Sequence, residues 1–271
     1  QDGVLTYRTG NELHIDPTGH LTLQPGMILK FENGEVEVSG NLTCNGVPGN
    51  PVIFTAISDD SVGGDSNNDG AATSPGNGGF LVRSIKFFTG SDASEVRHTE
   101  FRNFSSFGTF CLQFNNCSPL LEDCVIEDGF GGGKDGFVMS STATPTIERC
   151  TFRNLTGKGA DNIPVVALPG LRDNVVTNCA EGDFFRVAGG VTSGFGTVIV
   201  GPRTFPGEVL VWNRSVDMVA GDVLEFQDGV VVKMDGAVTL DAGGGILNMR
   251  GTAHRPVIMA SIFDDSIVGD T

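Results

Sequence analysis

The chain has one Trp and one Tyr, Trp212 and Tyr7, among 271 residues. Aromatic faces that could line a sugar groove are therefore scarce outside a core built from its 19 Phe. Basic residues are few. Lys plus Arg number 17 against 33 Asp plus Glu, a formal charge of −16. Such a surface repels nucleic acid and anionic lipid, so neither is an expected partner. No apolar run approaches the ~20 residues a membrane-spanning helix needs, so no membrane insertion is expected. The six cysteines include no C-x-x-C pair, and the four histidines (His14, His20, His98, His254) are scattered, so nothing points to a transition metal. A Gly-x-Ser-x-Gly elbow, a phosphate loop and the paired-Asp signature of pectin-cleaving enzymes are also missing. Helix-forming Ala/Glu/Lys/Leu runs are absent, which predicts an almost all-β chain.

What the chain has is glycine and repetition. Gly accounts for 39 residues, about twice the usual fraction. One phrase is written four times: Val96–Asn103 (VRHTEFRN), Leu121–Asp128 (LEDCVIED), Ile147–Asn154 (IERCTFRN) and Leu171–Asn178 (LRDNVVTN), with starts 25, 26 and 24 residues apart. The first position is Val, Leu, Ile, Leu. The fourth is Thr, Cys, Cys, Asn. The sixth is Phe, Ile, Phe, Val, and the eighth is Asn, Asp, Asn, Asn. Apolar residues flanked by polar ones at period 2 indicate strands, and a fixed period in the twenties indicates a solenoid. Stacked coils put equal positions about 4.8 Å apart. Phe101, Ile126, Phe152 and Val176 then form an internal apolar stack. Asn103, Asp128, Asn154 and Asn178 form a ladder at a bend, where their side chains tolerate left-handed φ. Cys124 and Cys150 share a column and read as stacked buried thiols, with a disulfide as the alternative.

A longer period overlies the short one. Leu224–Met234 matches Leu21–Phe31 at an offset of 203, and Pro256–Ala260 matches Pro51–Thr55 at 205. Asp264–Thr271 matches Asp59–Ser66 at the same 205. The expected organisation is one unit over 1–205, then over 206–271 the start of a second, truncated tandem unit continuing the solenoid. The chain opens on Gln1 rather than Met, which suits either a removed leader or an arbitrary boundary. A polar stretch over 57–79 reads as a long loop, and residues 129–136 as a shorter one.

The four phrases resemble rungs of a right-handed parallel β-helix. Leu21–Gly26 with its Pro-Gly turn, Gly40-Asn41-Leu42, the strand Pro51–Thr55 and the acidic Gly-rich Asp59–Asp65 are similar to secreted bacterial parallel β-helix repeat proteins. The resemblance covers most of the chain. It implies a secreted or cell-surface location and a group that includes adhesins, surface proteins, sugar-binding modules and polysaccharide-cleaving enzymes.

Two places could carry chemistry. Asp65-Ser66-Asn67-Asn68-Asp69-Gly70 offers oxygen ligands at alternate positions followed by Gly, the opening of a calcium loop. The twelfth position, Glu in a full EF-hand, is Gly76, so further ligands must come from Asp59, Asp60 or backbone carbonyls. Asp264, Asp265 and Asp270 repeat the start of this loop. Calcium is thus the expected ion, at Asp59, Asp60, Asp65, Asn67, Asp69, Asp264, Asp265 and Asp270. The second place is an outward row, Arg102, Glu127 and Arg153, beside Lys134 and Asp135. Carboxylates and a base on one sheet face are what a β-helix lyase or hydrolase would use, yet alternating charges also pair on any solvated strand face. The expected function is a non-catalytic extracellular structural or adhesive scaffold, a piece of a longer repetitive surface protein or fibre. End-to-end self-association or surface glycans are its candidate partners. A polysaccharide lyase or hydrolase, or a carbohydrate-binding module, is the alternative.

Overall fold

The computed structural model describes residues 4–7, 12–76, 81–104, 110–189, 193–201 and 209–268. It is a parallel β-solenoid of about nine turns. Three sheets enclose the core of the first part. A seven-stranded sheet runs from Val4–Tyr7 to Val175–Thr177, and a six-stranded sheet holds His20–Leu23 to Leu171–Arg172. A ten-stranded sheet runs from Leu13–Ile15 to Ile258–Ser261. Among the described residues helix is confined to a 3-10 turn at Val165–Gly170 and one turn at Asp265–Val268.

The repeated phrase is not one strand but two. Its first residues lie in the six-stranded sheet, as in Glu95–Arg97, and its later ones in the seven-stranded sheet, as in Thr99–Phe104. The corner between them is the phrase's third position, where His98, Asp123, Arg149 and Asp173 all have φ between 42° and 55°. The eighth position makes the next corner, with Asn103, Asp128, Asn154 and Asn178 at φ 55–61°. Asn and Asp suit left-handed backbone; a His and an Arg cost about 1–2 kcal/mol each there. Two side-chain bonds connect the second corner from turn to turn. Asn154 Nδ2 donates to Asp128 Oδ1 at 3.1 Å, and Asn178 Nδ2 to Asn154 Oδ1 at 2.7 Å.

Between the corners, the inward columns stack in register. Phe54, Phe101, Ile126, Phe152 and Val176 are successive partners, all buried. Val96, Leu121, Ile147 and Leu171 make the parallel column one face away. A third column stacks Phe87 on Phe114 at 5.5 Å, and from the neighbouring column Phe137 meets the Phe114 ring at 6.0 Å, within the range where ring pairs attract. The fourth-position column is buried too. Asn174 ends it with its amide satisfied, accepting from Cys150 N at 3.0 Å and donating to Ile147 O at 2.9 Å. All six cysteines are free, so Cys124 and Cys150 are stacked thiols and not a disulfide.

The second part of the solenoid repeats the first but on other faces. Ile28–Phe31 pairs with Val52–Ala56 as Ile28↔Ile53, Leu29↔Phe54 and Lys30↔Thr55. Their sequence equivalents pair in the same register, Val231↔Ile258, Val232↔Met259 and Lys233↔Ala260. The turn before them is kept as well, with Gly26 at φ 79° and Gly229 at φ 78°. Yet the first pair belongs to the seven-stranded sheet and the second to the ten-stranded sheet. Among the described residues only the ten-stranded sheet runs through the junction; the other two end at Leu171–Arg172 and Val175–Thr177. A three-stranded sheet (Thr197–Val200, Val223–Phe226, Ile246–Met249) and a two-stranded one (Val216–Asp217, Leu240–Asp241) replace them. Equivalent strands have thus moved round the solenoid by one face.

The shorter loop is smaller than 129–136. The strand Val125–Gly129 closes on one side and Asp135–Met139 opens on the other, because Gly129 and Asp135 both pair with neighbouring rungs.

Candidate cation site

The long loop leaves the solenoid after Val52–Ala56 and its first turn is pinned by Asp59. Asp59 Oδ2 accepts from Thr55 Oγ1 at 2.6 Å and from Asn103 Nδ2 at 3.0 Å; Oδ1 accepts from Ser61 N at 3.1 Å. Asn103 is the corner residue of the next turn, so Asp59 ties the loop to two rungs. Its oxygens face these donors, and it stands apart from the cluster formed by the other acids.

That cluster is Asp60, Asp65 and Asp69, one carboxylate oxygen from each lying within 4.8 Å of the others. The spread fits two Ca–O bonds of about 2.4 Å end to end. Asp65 receives Asp69 N at 3.2 Å and Gly70 N at 2.9 Å, which folds the loop back over its own carboxylate. Gly70 has φ +69°, where a side chain is strained. These amide bonds, that from Gly70 first, hold the Asp65 carboxyl below its usual range. Asn67 donates from Nδ2 to Asp69 Oδ2 at 2.9 Å and to Thr73 Oγ1 at 3.1 Å, leaving its own oxygen turned away. Three oxygens in the loop, Asp60 Oδ1, Asn67 Oδ1 and Asp69 Oδ1, are buried without any hydrogen-bond partner. Buried acceptors are ordinarily satisfied, and leaving one unmade costs on the order of 1–3 kcal/mol. Hard oxygen donors with no protein partner are the donor set that suits Ca²⁺.

Sequence reasoning missed Lys30, whose signal was a lone Lys inside an apolar strand, repeated as Lys233. Its ammonium is fully buried under the loop, donating to the carbonyls of Asp59 at 2.7 Å and Gly64 at 2.6 Å. Burial pulls its pKa down, while the charges of Asp59, Asp60 and Asp65 oppose the shift.

In the second part, Asp264 repeats the Asp59 turn. Ser266 N donates to Asp264 Oδ1 at 3.2 Å, as Ser61 N does to Asp59, and Asp264 N bonds Ser261 O at 3.0 Å as Asp59 N bonds Ala56 O. Asp265 opens the single helical turn, and Asp270 lies outside the described residues.

The outward row is a ladder of ion pairs. Glu127 lies between Arg102 Nε at 3.3 Å and Arg153 Nη2 at 2.6 Å, and Arg102 also grips Glu100. Lys134 and Asp135 stand apart from this row. Lys134 is buried, its amine donating to Phe110 O at 3.1 Å. Asp135, its pKa raised by burial, accepts Lys158 N at 3.0 Å and Lys158 Nζ at 3.1 Å. Lys158 further reaches Glu181 at 3.0 Å. The five residues therefore do not converge on one cleft.

Comparison with family models, with curated proteins and with solved structures finds no match. No helix among the described residues is long and apolar enough to cross a membrane.

Proposed function

We propose that this chain is a non-catalytic structural or adhesive β-solenoid scaffold, secreted or displayed on a cell surface, whose acidic loop binds calcium. One observation carries the reading: carboxylates of Asp60, Asp65 and Asp69 and the amide oxygen of Asn67 gather in one loop, three of their oxygens buried and unpartnered. A hard dication supplies the partner those atoms lack, and ties a loop that otherwise gathers like charges. Stacked ladders give rigidity along one axis, and the unit repeated after about 205 residues supplies length, as in a longer surface protein or fibre. End-to-end self-association through strand edges belongs to the same proposal. The alternative of a polysaccharide lyase, hydrolase or carbohydrate-binding face is less well supported, since the charges of Arg102, Glu127 and Arg153 are spent on one another.

Thermal unfolding with calcium and then with a chelator tests the cation reading. Binding to the folded state alone stabilises by about 2.7 kcal/mol at a hundredfold excess over Kd. The expected result is a clear rise in Tm with calcium that disappears in Asp65→Ala/Asp69→Ala. An unchanged Tm refutes calcium binding. Sedimentation over a concentration series tests self-association, which a constant monomer mass refutes.

A further inference from the structure

We infer that Lys30 is a built-in counter-cation of the acidic loop, holding it closed when calcium is absent and setting how strongly calcium acts on it. The inference rests on the calcium reading above.

Four observations carry it. Lys30 is fully buried although it lies on a strand whose neighbours Leu29 and Phe31 belong to the core. Lysine is almost never buried so completely unless its charge is answered. Its amine answers to the loop alone among the bonds it makes: it bridges the carbonyls of Asp59 and Gly64, which bracket the segment carrying Asp60 and precede Asp65. The carboxylates whose charges act on it are Asp59, Asp60 and Asp65, two of them members of the cation cluster. Finally, the position recurs. Lys233 occupies the equivalent strand position and is equally buried.

The physical consequence is a competition. The ammonium offsets part of the negative charge that would drive the loop open, so the loop does not require calcium in order to fold. The same charge repels an arriving dication and lowers its affinity. Removing it does two things together. It leaves the calcium-free loop with more uncompensated charge and two carbonyls without their donor, and it strengthens the attraction for Ca²⁺. A purely mechanical clamp gives the reverse: without it the cluster spreads and calcium binds more weakly.

The experiment measures Tm in chelator and in calcium, and the calcium affinity by titration, for the wild-type chain, Lys30→Met and Lys30→Arg. Lys30→Met is expected to melt lower in chelator, to show a calcium-induced rise on the order of twice the wild-type rise, and to bind calcium several-fold more tightly. Lys30→Arg, which keeps the charge, is expected to behave as wild type in affinity. If Lys30→Met folds only when calcium is present, the inference is upheld in its strongest form. If it folds in neither medium, Lys30→Gln, which keeps one donor, is measured in its place. An affinity equal to or weaker than wild type in the neutral variant overturns the inference while leaving the calcium reading intact. Absence of a calcium effect in the wild-type chain overturns both.

Discussion

The strands of Lys30 and Lys233 share a sequence pattern, a register and their burial, but the strands they pair with next do not share theirs. In the first region Leu29, Phe54 and Phe101 are closed off from solvent, because the rung holding Thr99–Phe104 covers Val52–Ala56. In the second, Ile258–Ser261 forms the edge of its sheet, and Met259, the equivalent of Phe54, is 39 % exposed. Ile246 and Phe263 are more exposed still. The pattern of a rung therefore sets its turns and its pairing, whereas burial is conferred by the next rung. That is the expected behaviour of a fold whose stability is a sum over neighbours.

The largest effect that could break this comparison is a core truncation. Phe101→Ala empties a site between Phe54 and Ile126 and is expected to cost about 3–5 kcal/mol in chemical unfolding. Met259→Ala removes a half-exposed side chain at the edge and is expected to cost under about 1 kcal/mol. Equal losses at the two positions would mean that the last turns are covered as fully as the middle ones.

The corners sharpen the comparison at a smaller scale. Asn154 has φ 55° and is bonded to both Asp128 and Asn178. Asn154→Gly keeps the backbone and loses the bonds; Asn154→Ala loses both. The alanine variant is expected to be less stable than the glycine variant by about 1 kcal/mol, measured as the difference in unfolding midpoint. Reversal of that order would show that the left-handed backbone at this corner carries little cost for a residue with a Cβ.

How much of this was readable beforehand follows from which features are local. The sixth-position stack and the eighth-position corner come from side-chain type repeated at a period, and the sequence displays both. The other corner did not show, because its residue type changes from turn to turn through His98, Asp123, Arg149 and Asp173, and Arg149 is not a residue that favours left-handed φ. The gathering of carboxylates in the long loop was legible in Asp65 and Asp69. The parting of Asp59 from Asp60 was not, since it depends on Thr55 and Asn103 reaching Asp59 from two different rungs. Lys30 was overlooked because its partners are backbone carbonyls, which carry no sequence signal. The change of face at the junction could not be read from the repeat either. Offsets of 203 and 205 record that strands recur, but which sheet they join depends on where the ten-stranded sheet alone continues.

The smallest expected effect concerns charge at that unadvertised corner. The Arg149 guanidinium donates from Nε to Asp123 Oδ1 at 2.9 Å and holds the Asp123 carboxyl below its usual range. A carboxyl whose pKa is depressed by folding contributes stability that is present above its unfolded pKa near 3.9 and is lost as pH falls through the lower folded value. Acid should therefore erode this contribution below about pH 4, and Arg149→Met should reduce the slope of stability against pH in that range while changing neutral stability by under about 1 kcal/mol. Salt should have the same weakening effect at neutral pH, because both side chains are open to solvent. Arginine–carboxylate pairs also join adjacent turns of the second part, Arg255 with Asp228 and Arg250 with Glu225, so Arg149→Met probes the acid response of its own corner and not that of the whole solenoid. A pH slope unaltered by Arg149→Met would assign the acid response elsewhere, and would leave the left-handed Arg149 as a cost without a compensating ion pair.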